Sequence, residues 1–269
     1  MLRVIGCITQ QHDLGLVLLA ACLCLFACAT AMSMIVRTRI SVGRERLFWL
    51  GAAGMVAGCG IWATHFVAML AFNPGFPVGY DQGFTALSIV IAVLLCSAGF
   101  ALSLRNGFAP VGGALTGAAI SAMHYVGMAA LRTPATAVWD HTYIVASVLI
   151  GVGLTAAAMQ VLLNSRTTLG YVQGSLLFTL AICGMHFTGM TAVTFIPNPE
   201  IALPAAGCGC GGIPAPWSHQ QVELLLAVSP RCRERDRPPP WLKPDRARQS
   251  LDGGRRHRLR ESCRARPAG

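Results

Sequence analysis

Six apolar runs, none containing Asp, Glu, Lys or Arg, occupy most of the first 196 residues of the chain. They cover Leu14–Val36, Leu47–Phe72, Phe84–Leu104, Ala109–Leu131, Thr142–Leu163 and Leu169–Ile196. A bilayer core of ~30 Å needs ~20 helical residues at ~1.5 Å rise each. Every run is long enough. Lipid offers the backbone no hydrogen bonds, so an apolar segment crossing it must satisfy its own N–H and C=O groups as a helix. The expected fold class is therefore all-α, a polytopic membrane bundle of six spans. The first run is too long for the core of a secretory signal and is followed by Arg37 and Arg39. It reads as a span, with cleavage near Ala29 as the alternative.

The chain is 54% hydrophobic and 12% charged, about half the charge fraction of a soluble domain. Of its 21 Lys and Arg, 13 lie after Ser229, so the net charge of +10 describes the tail. It gives the body no nucleic-acid partner; the body's partner is the lipid bilayer. Arg37, Arg39, Arg44, Arg46, Arg105 and Arg166 fall in odd-numbered linkers, against Arg3 and Arg132 on the other side. The positive-inside rule then puts the odd linkers in the cytoplasm and the N-terminus outside. Seven of the eleven cysteines lie in or beside apolar runs, where cysteine acts as a small hydrophobe. No CxxC zinc spacing is present.

Three heptapeptides interrupt this apolar background: ATHFVAM (63–69), AMHYVGM (122–128) and GMHFTGM (184–190). Each carries a histidine four residues before a methionine, on the second, fourth or sixth run. Positions i and i+4 share a helix face. His65 with Met69, His124 with Met128 and His186 with Met190 each present an imidazole and a thioether together. Met123 and Met185 flank two of the histidines. The histidines are 59 and 62 residues apart, close to one helical hairpin, so the body reads as three related hairpins.

An imidazole in an apolar medium needs a partner, since an unpaired polar group costs roughly 2–7 kcal/mol there. Nearby hydroxyls (Thr64, Ser121, Thr188, Thr191) offer one solution. A metal offers the other. Neutral imidazole suits copper, zinc and iron, and thioether favours Cu(I). Mixed His and Met ligands without a carboxylate point to copper, with haem as the alternative cofactor. The only lysine is Lys243, which excludes a retinal Schiff base in the spans. No nucleophile–base pair, P-loop or GxSxG occurs, so the body does not read as an enzyme.

These motifs resemble the bacterial MHYT domain, and the likeness runs from Asp13 to Val228. The resemblance implies an integral-membrane sensor module that binds copper near the outer face and senses oxygen, carbon monoxide, nitric oxide or redox state. It also implies a signalling output protein, often of cyclic-di-GMP or histidine-kinase type. Carried over residue by residue, it names His65, Met69, Met123, His124, Met128, Met185, His186 and Met190 as metal ligands and Tyr125 as the motif tyrosine. Thr64 departs from the pattern at the first motif's Met, and Phe66 and Phe187 stand at the Tyr place. The rival functions are a copper-handling or haem-binding membrane protein, or a purely structural bundle.

The family's seventh span is begun by Val222–Val228 and then broken by an Arg- and Pro-rich stretch, residues 229–269. This tail is too polar to fold alone. The abrupt change of composition has the character of a shifted reading frame, and a native basic tail for acidic lipid or nucleic acid is the alternative. Cys208 and Cys210 in GCGCGG read as incidental cysteines of a flexible loop, with Cu(I) capture as the lesser reading.

Overall fold

The computed structural model describes residues 2–76 and 78–198. The aborted seventh span, the loop cysteines and the basic tail lie outside the described residues. Among the described residues seven helices run in chain order: α1 Leu2–Gln11, α2 Leu14–Ile40, α3 Gly43–Ala71, α4 Gln82–Ser103, α5 Ala109–Ala129, α6 His141–Asn164 and α7 Thr168–Thr191. Four short strands join them: β1 Gly79–Tyr80, β2 Leu131–Arg132, β3 Ala135–Trp139 and β4 Val193–Pro197. The fold is an all-α membrane bundle.

Five helices, α2, α3, α4, α6 and α7, are long and apolar enough to cross a membrane. The sixth expected span is α5, 21 residues rich in Gly, Ala, Ser and Thr. Its small residues serve close packing inside the bundle, where more than half of it is buried. That leaves it less greasy than helices that face lipid. The helices also outrun the apolar runs at one end. Arg37 and Arg39 belong to α2, and Arg44, Glu45 and Arg46 open α3.

At the other end the apolar runs outlast the helices. Helix α7 stops at Thr191, and the remaining apolar residues form β4, antiparallel to β3 with Trp139 opposite Val193 and Ala135 opposite Pro197. Strand β1 pairs with β2, Tyr80 opposite Leu131. Alternation over so few residues is masked by an uninterrupted apolar composition, which is why β4 and Leu131 read as helix ends, whereas β1 and β3 fall in the expected linkers. Helix α1 was likewise not anticipated, because ten residues fall short of a span.

Three hairpins, α2–α3, α4–α5 and α6–α7, are closed in the same way. Asp13, Asp81 and Asp140 each N-cap the first helix of a hairpin, accepting backbone N–H bonds on the carboxylate. Each also donates its own N–H to the carbonyl that ends the second helix: Ala71 at 2.9 Å, Ala130 at 2.8 Å and Ala192 at 2.8 Å. One residue thus satisfies orphan groups at both helix ends. The Phe84 N–H and then the Arg132 guanidinium, 3.1 Å away, hold the Asp81 carboxyl below the usual carboxylate range. The internal repeat is physical: capping Asp, His, Met and terminal Ala recur in order in every hairpin.

Candidate metal centre

The histidines lie in the last third of α3, α5 and α7, the second helix of each hairpin. Because these helices share a direction and a closure, the repeat delivers three imidazoles to one level. His65 Nδ1 stands 3.3 Å from His186 Nδ1 and 3.3 Å from His124 Nδ1. All three histidines offer ring nitrogens within 4.8 Å of one another. Ring centroids are 5.1 to 5.3 Å apart and the rings meet edge to face. The residues are 3%, 0% and 5% exposed, so water does not reach them freely.

The hydrogen bonds of this cluster do not close. The Nε2 atoms of His65, His124 and His186 are buried without a partner among the described residues. A neutral imidazole has one N–H and one lone pair. Nδ1 atoms facing each other cannot all be matched as donor and acceptor. Two of the four hydroxyls expected as partners turn elsewhere, Ser121 donating to Gly117 O at 3.1 Å and Thr191 to Phe187 O at 2.8 Å, and the Thr64 hydroxyl is itself buried without a partner among the described residues. Tyr125 also leaves the cluster, its hydroxyl sharing a hydrogen bond with Ser147 Oγ at 2.6 Å.

Glycine makes room for the rings. A Cβ on Gly127 would stand 2.6 Å from His65 Nε2, and one on Gly189 2.6 Å from His124 Nε2. Each lies three residues after a motif histidine and receives the ring from the preceding hairpin. The first motif has Ala68 at this place. The signal was present in the heptapeptides, but the partner of each glycine is on another helix, so the sequence alone did not reveal it.

The methionines divide into two layers. Met69, Met128 and Met190 pack with Cys7 of α1 in one buried cluster, covered by Phe72, Tyr80 and Trp139 among others. Burial pushes the Cys7 thiol up from its ordinary value. It raises the Tyr80 phenol to about 12. On the other side of the histidines, Met123 and Met185 line a cavity of about 20 Å³ together with the three imidazoles, Val17 and Ile61. That is room for about one water-sized guest. Over the Cys7 cluster, His12 closes the end of α1 by donating Nδ1–H to Cys7 O at 2.9 Å. Burial lowers its pKa, which keeps the ring neutral.

A metal fits the nitrogen triangle. Two nitrogens bound tetrahedrally at about 2.0 Å stand about 3.3 Å apart, the separation of His65 Nδ1 from the Nδ1 of each of the other two histidines, and ring nitrogens of all three lie within 4.8 Å of one another. A cation between the lone pairs would leave each proton on Nε2, facing the space that glycine keeps open at two of the three positions.

Residues 58–112 and 117–174 match the profile of MHYT, described as a bacterial signalling protein N-terminal repeat. Each match begins seven residues before its motif histidine. The third motif lies beyond both. An uncharacterized signaling protein of Caulobacter vibrioides is 41% identical over 207 residues, covering 75% of this chain and 25% of that protein. The bifunctional diguanylate cyclase/cyclic di-GMP phosphodiesterase MucR of Pseudomonas aeruginosa is 38% identical over 199 residues, 69% of this chain and 28% of its own length. The cyclic di-GMP phosphodiesterase NbdA of the same organism is 36% identical over 257 residues, 84% and 32% of the two chains. The chain thus spans about a quarter to a third of these relatives. No solved structure matches.

Proposed function

Since the chain belongs to the MHYT family of bacterial membrane signalling domains, we propose that it is a sensor whose three-histidine centre holds copper and responds to a diatomic gas or redox state. The observation that carries this reading is the buried three-histidine cluster, in which His65 Nδ1 lies 3.3 Å from the Nδ1 of both His124 and His186 and all three Nε2 atoms are without a partner among the described residues. His65, His124 and His186 would hold the ion through Nδ1. When bound, copper would supply a redox-active, gas-binding centre. The soft layers of Met69, Met128 and Met190 on one side, and Met123 and Met185 on the other, favour Cu(I) over zinc. The cavity of about 20 Å³ beside the rings suits a small guest and disfavours haem, since ligands of that size occupy hundreds of Å³.

Each histidine sits on a different hairpin, so any change in the Nδ1 triangle must be shared by α3, α5 and α7. That is a direct route from a small guest to helix packing. The output is a cyclic di-GMP enzyme module, by likeness to MucR and NbdA. X-ray absorption of the purified, copper-loaded chain tests the reading. Nitrogen scatterers near ~2.0 Å from the metal, with a spectrum altered by carbon monoxide, are expected. Failure of the purified chain to retain copper would sink it.

The membrane orientation belongs to the same reading. The arginine-rich end faces the cytoplasm and the capping end, with α1 and the short strands, faces outward. Reporter fusions after Arg44, Arg105 and Arg166 should then read cytoplasmic, and fusions within residues 73–79 external. The reverse pattern would put the histidines in the inner leaflet and remove the outward-facing sensor.

A further inference from the structure

At the end of the bundle remote from the histidines, a cleft of about 690 Å³ opens between α2, α6 and α7. Its polar wall carries Arg37, Arg39 and Arg166 beside Ser165, Thr167 and Tyr171. No carboxylate among the described residues lines it. None of the three arginines is in an ion pair among the described residues. Two are held in place without being neutralised. Arg37 lies 5.1 Å from the centroid of the Trp49 ring, and an Arg39 nitrogen donates to Leu162 O at 3.4 Å. The seam is pinned by Tyr171, whose hydroxyl donates to Ala29 O at 2.8 Å. Its apolar wall is Val36, Ile40 and Leu162. Val36 and Ile40 are 37% and 81% exposed.

Three guanidiniums without counter-charge, two of them held in place, next to an open apolar wall, ask for a ligand that is anionic at one end and greasy at the other. Guanidinium forks match phosphate oxygens, and basic pockets between membrane helices suit lipid headgroups. We propose that this cleft binds the phosphate of an anionic phospholipid, with Arg37, Arg39 and Arg166 on the headgroup and the acyl chains along Val36 and Ile40. The site is independent of the metal centre. A headgroup bound there would bridge α2 to α6 and α7, the seam at which the ring of helices closes.

The full chain is reconstituted in vesicles of equal phosphatidylglycerol and phosphatidylcholine, released, and its retained lipid counted by native mass spectrometry. Phosphatidylglycerol should be retained selectively. Each basic residue near a membrane surface contributes about fivefold to anionic binding. R166Q should therefore lower retention about fivefold, and R37Q/R39Q/R166Q together about a hundredfold. R105Q removes an arginine from the same end but outside the cleft, and should change nothing. Retained helical circular dichroism confirms that each variant folds. Arg166 lies in a linker, so R166Q stays informative if the triple variant misfolds. Equal retention of the two lipids, or equal effects of R105Q and R166Q, would overturn the proposal. A third arm offers millimolar inorganic phosphate to lipid-free protein. Phosphate binding without phospholipid retention would assign the cleft to a free anion and overturn the lipid assignment.

Discussion

His124→Ala is expected to lower copper affinity by more than about 100-fold, the upper end of what even an outer partner of a metal ligand contributes. His124 is fully buried, its Nδ1 lies 3.3 Å from that of His65, and its Nε2 meets the backbone at Gly189. Copper bound only to the folded state stabilises it by about 2.7 kcal/mol when present at a hundred times its Kd. The wild-type unfolding temperature should therefore rise with added Cu(I), and that of the variant should not. Gly189→Ala is the companion. Its new Cβ would stand 2.6 Å from His124 Nε2, so the ring must move while all three nitrogen ligands remain. A loss of about 10–100-fold is expected, as for other changes that only reorient a ligand. If the cluster is merely a packing device, the outcome inverts. Replacing an unsatisfied imidazole by an apolar side chain of similar volume, His124→Phe or His124→Leu, would then be neutral or stabilising. Such a result, with copper affinity unchanged in His124→Ala, would refute the metal centre.

How much of this centre was legible beforehand depends on whether the information lies along one helix or between helices. The i,i+4 pairs and the equal spacing of the motifs are properties of single helices and of chain length. They placed His65, His124 and His186 at one level, and the structure brings them together. The methionine assignment mixed two environments. Met69, Met128 and Met190 form a layer with Cys7, whereas Met123 and Met185 sit at the cavity. A step of one residue turns the helix by ~100° and rises only ~1.5 Å, so the sequence did not show which layer each thioether joins. Helix α1 escaped notice because its value lies in contacts. Cys7 enters the methionine layer and His12 bridges Phe72, neither of which follows from ten residues of mixed polarity. In the sequence Asp13, Asp81 and Asp140 are simply acidic residues just ahead of apolar runs. That each also donates its N–H to the end of the partner helix became apparent from the geometry.

Gly117→Leu should destabilise the bundle by about 3 kcal/mol or more, the upper range for overpacking a close-packed interior. A Cβ at Gly117 would stand 2.5 Å from Gly151 O and 2.5 Å from Val152 Cα. Both are backbone atoms of α6, so no rotamer change relieves the clash and the helices must separate. Four residues earlier, Gly113 makes the same approach, 2.6 Å from Thr155 O. Together they form the small-residue stripe that lets two helices pack without a hydrophobic drive in lipid. The damage should reach the histidine cluster too, since α5 carries both this stripe and His124. Gly153→Leu is the matched control. It lies on α6, is exposed, and its Cβ would meet nothing within 4 Å. Leucine has the better helix propensity by up to about 1 kcal/mol, so this variant should be neutral or slightly more stable. Thermal unfolding of both variants in the same detergent reads the difference. For a chain of this size, about 3 kcal/mol corresponds to roughly 6–12 °C in Tm. Equal shifts for Gly117→Leu and Gly153→Leu would show that α5 and α6 do not depend on this close approach. The sparse apolarity of α5 would then need another explanation.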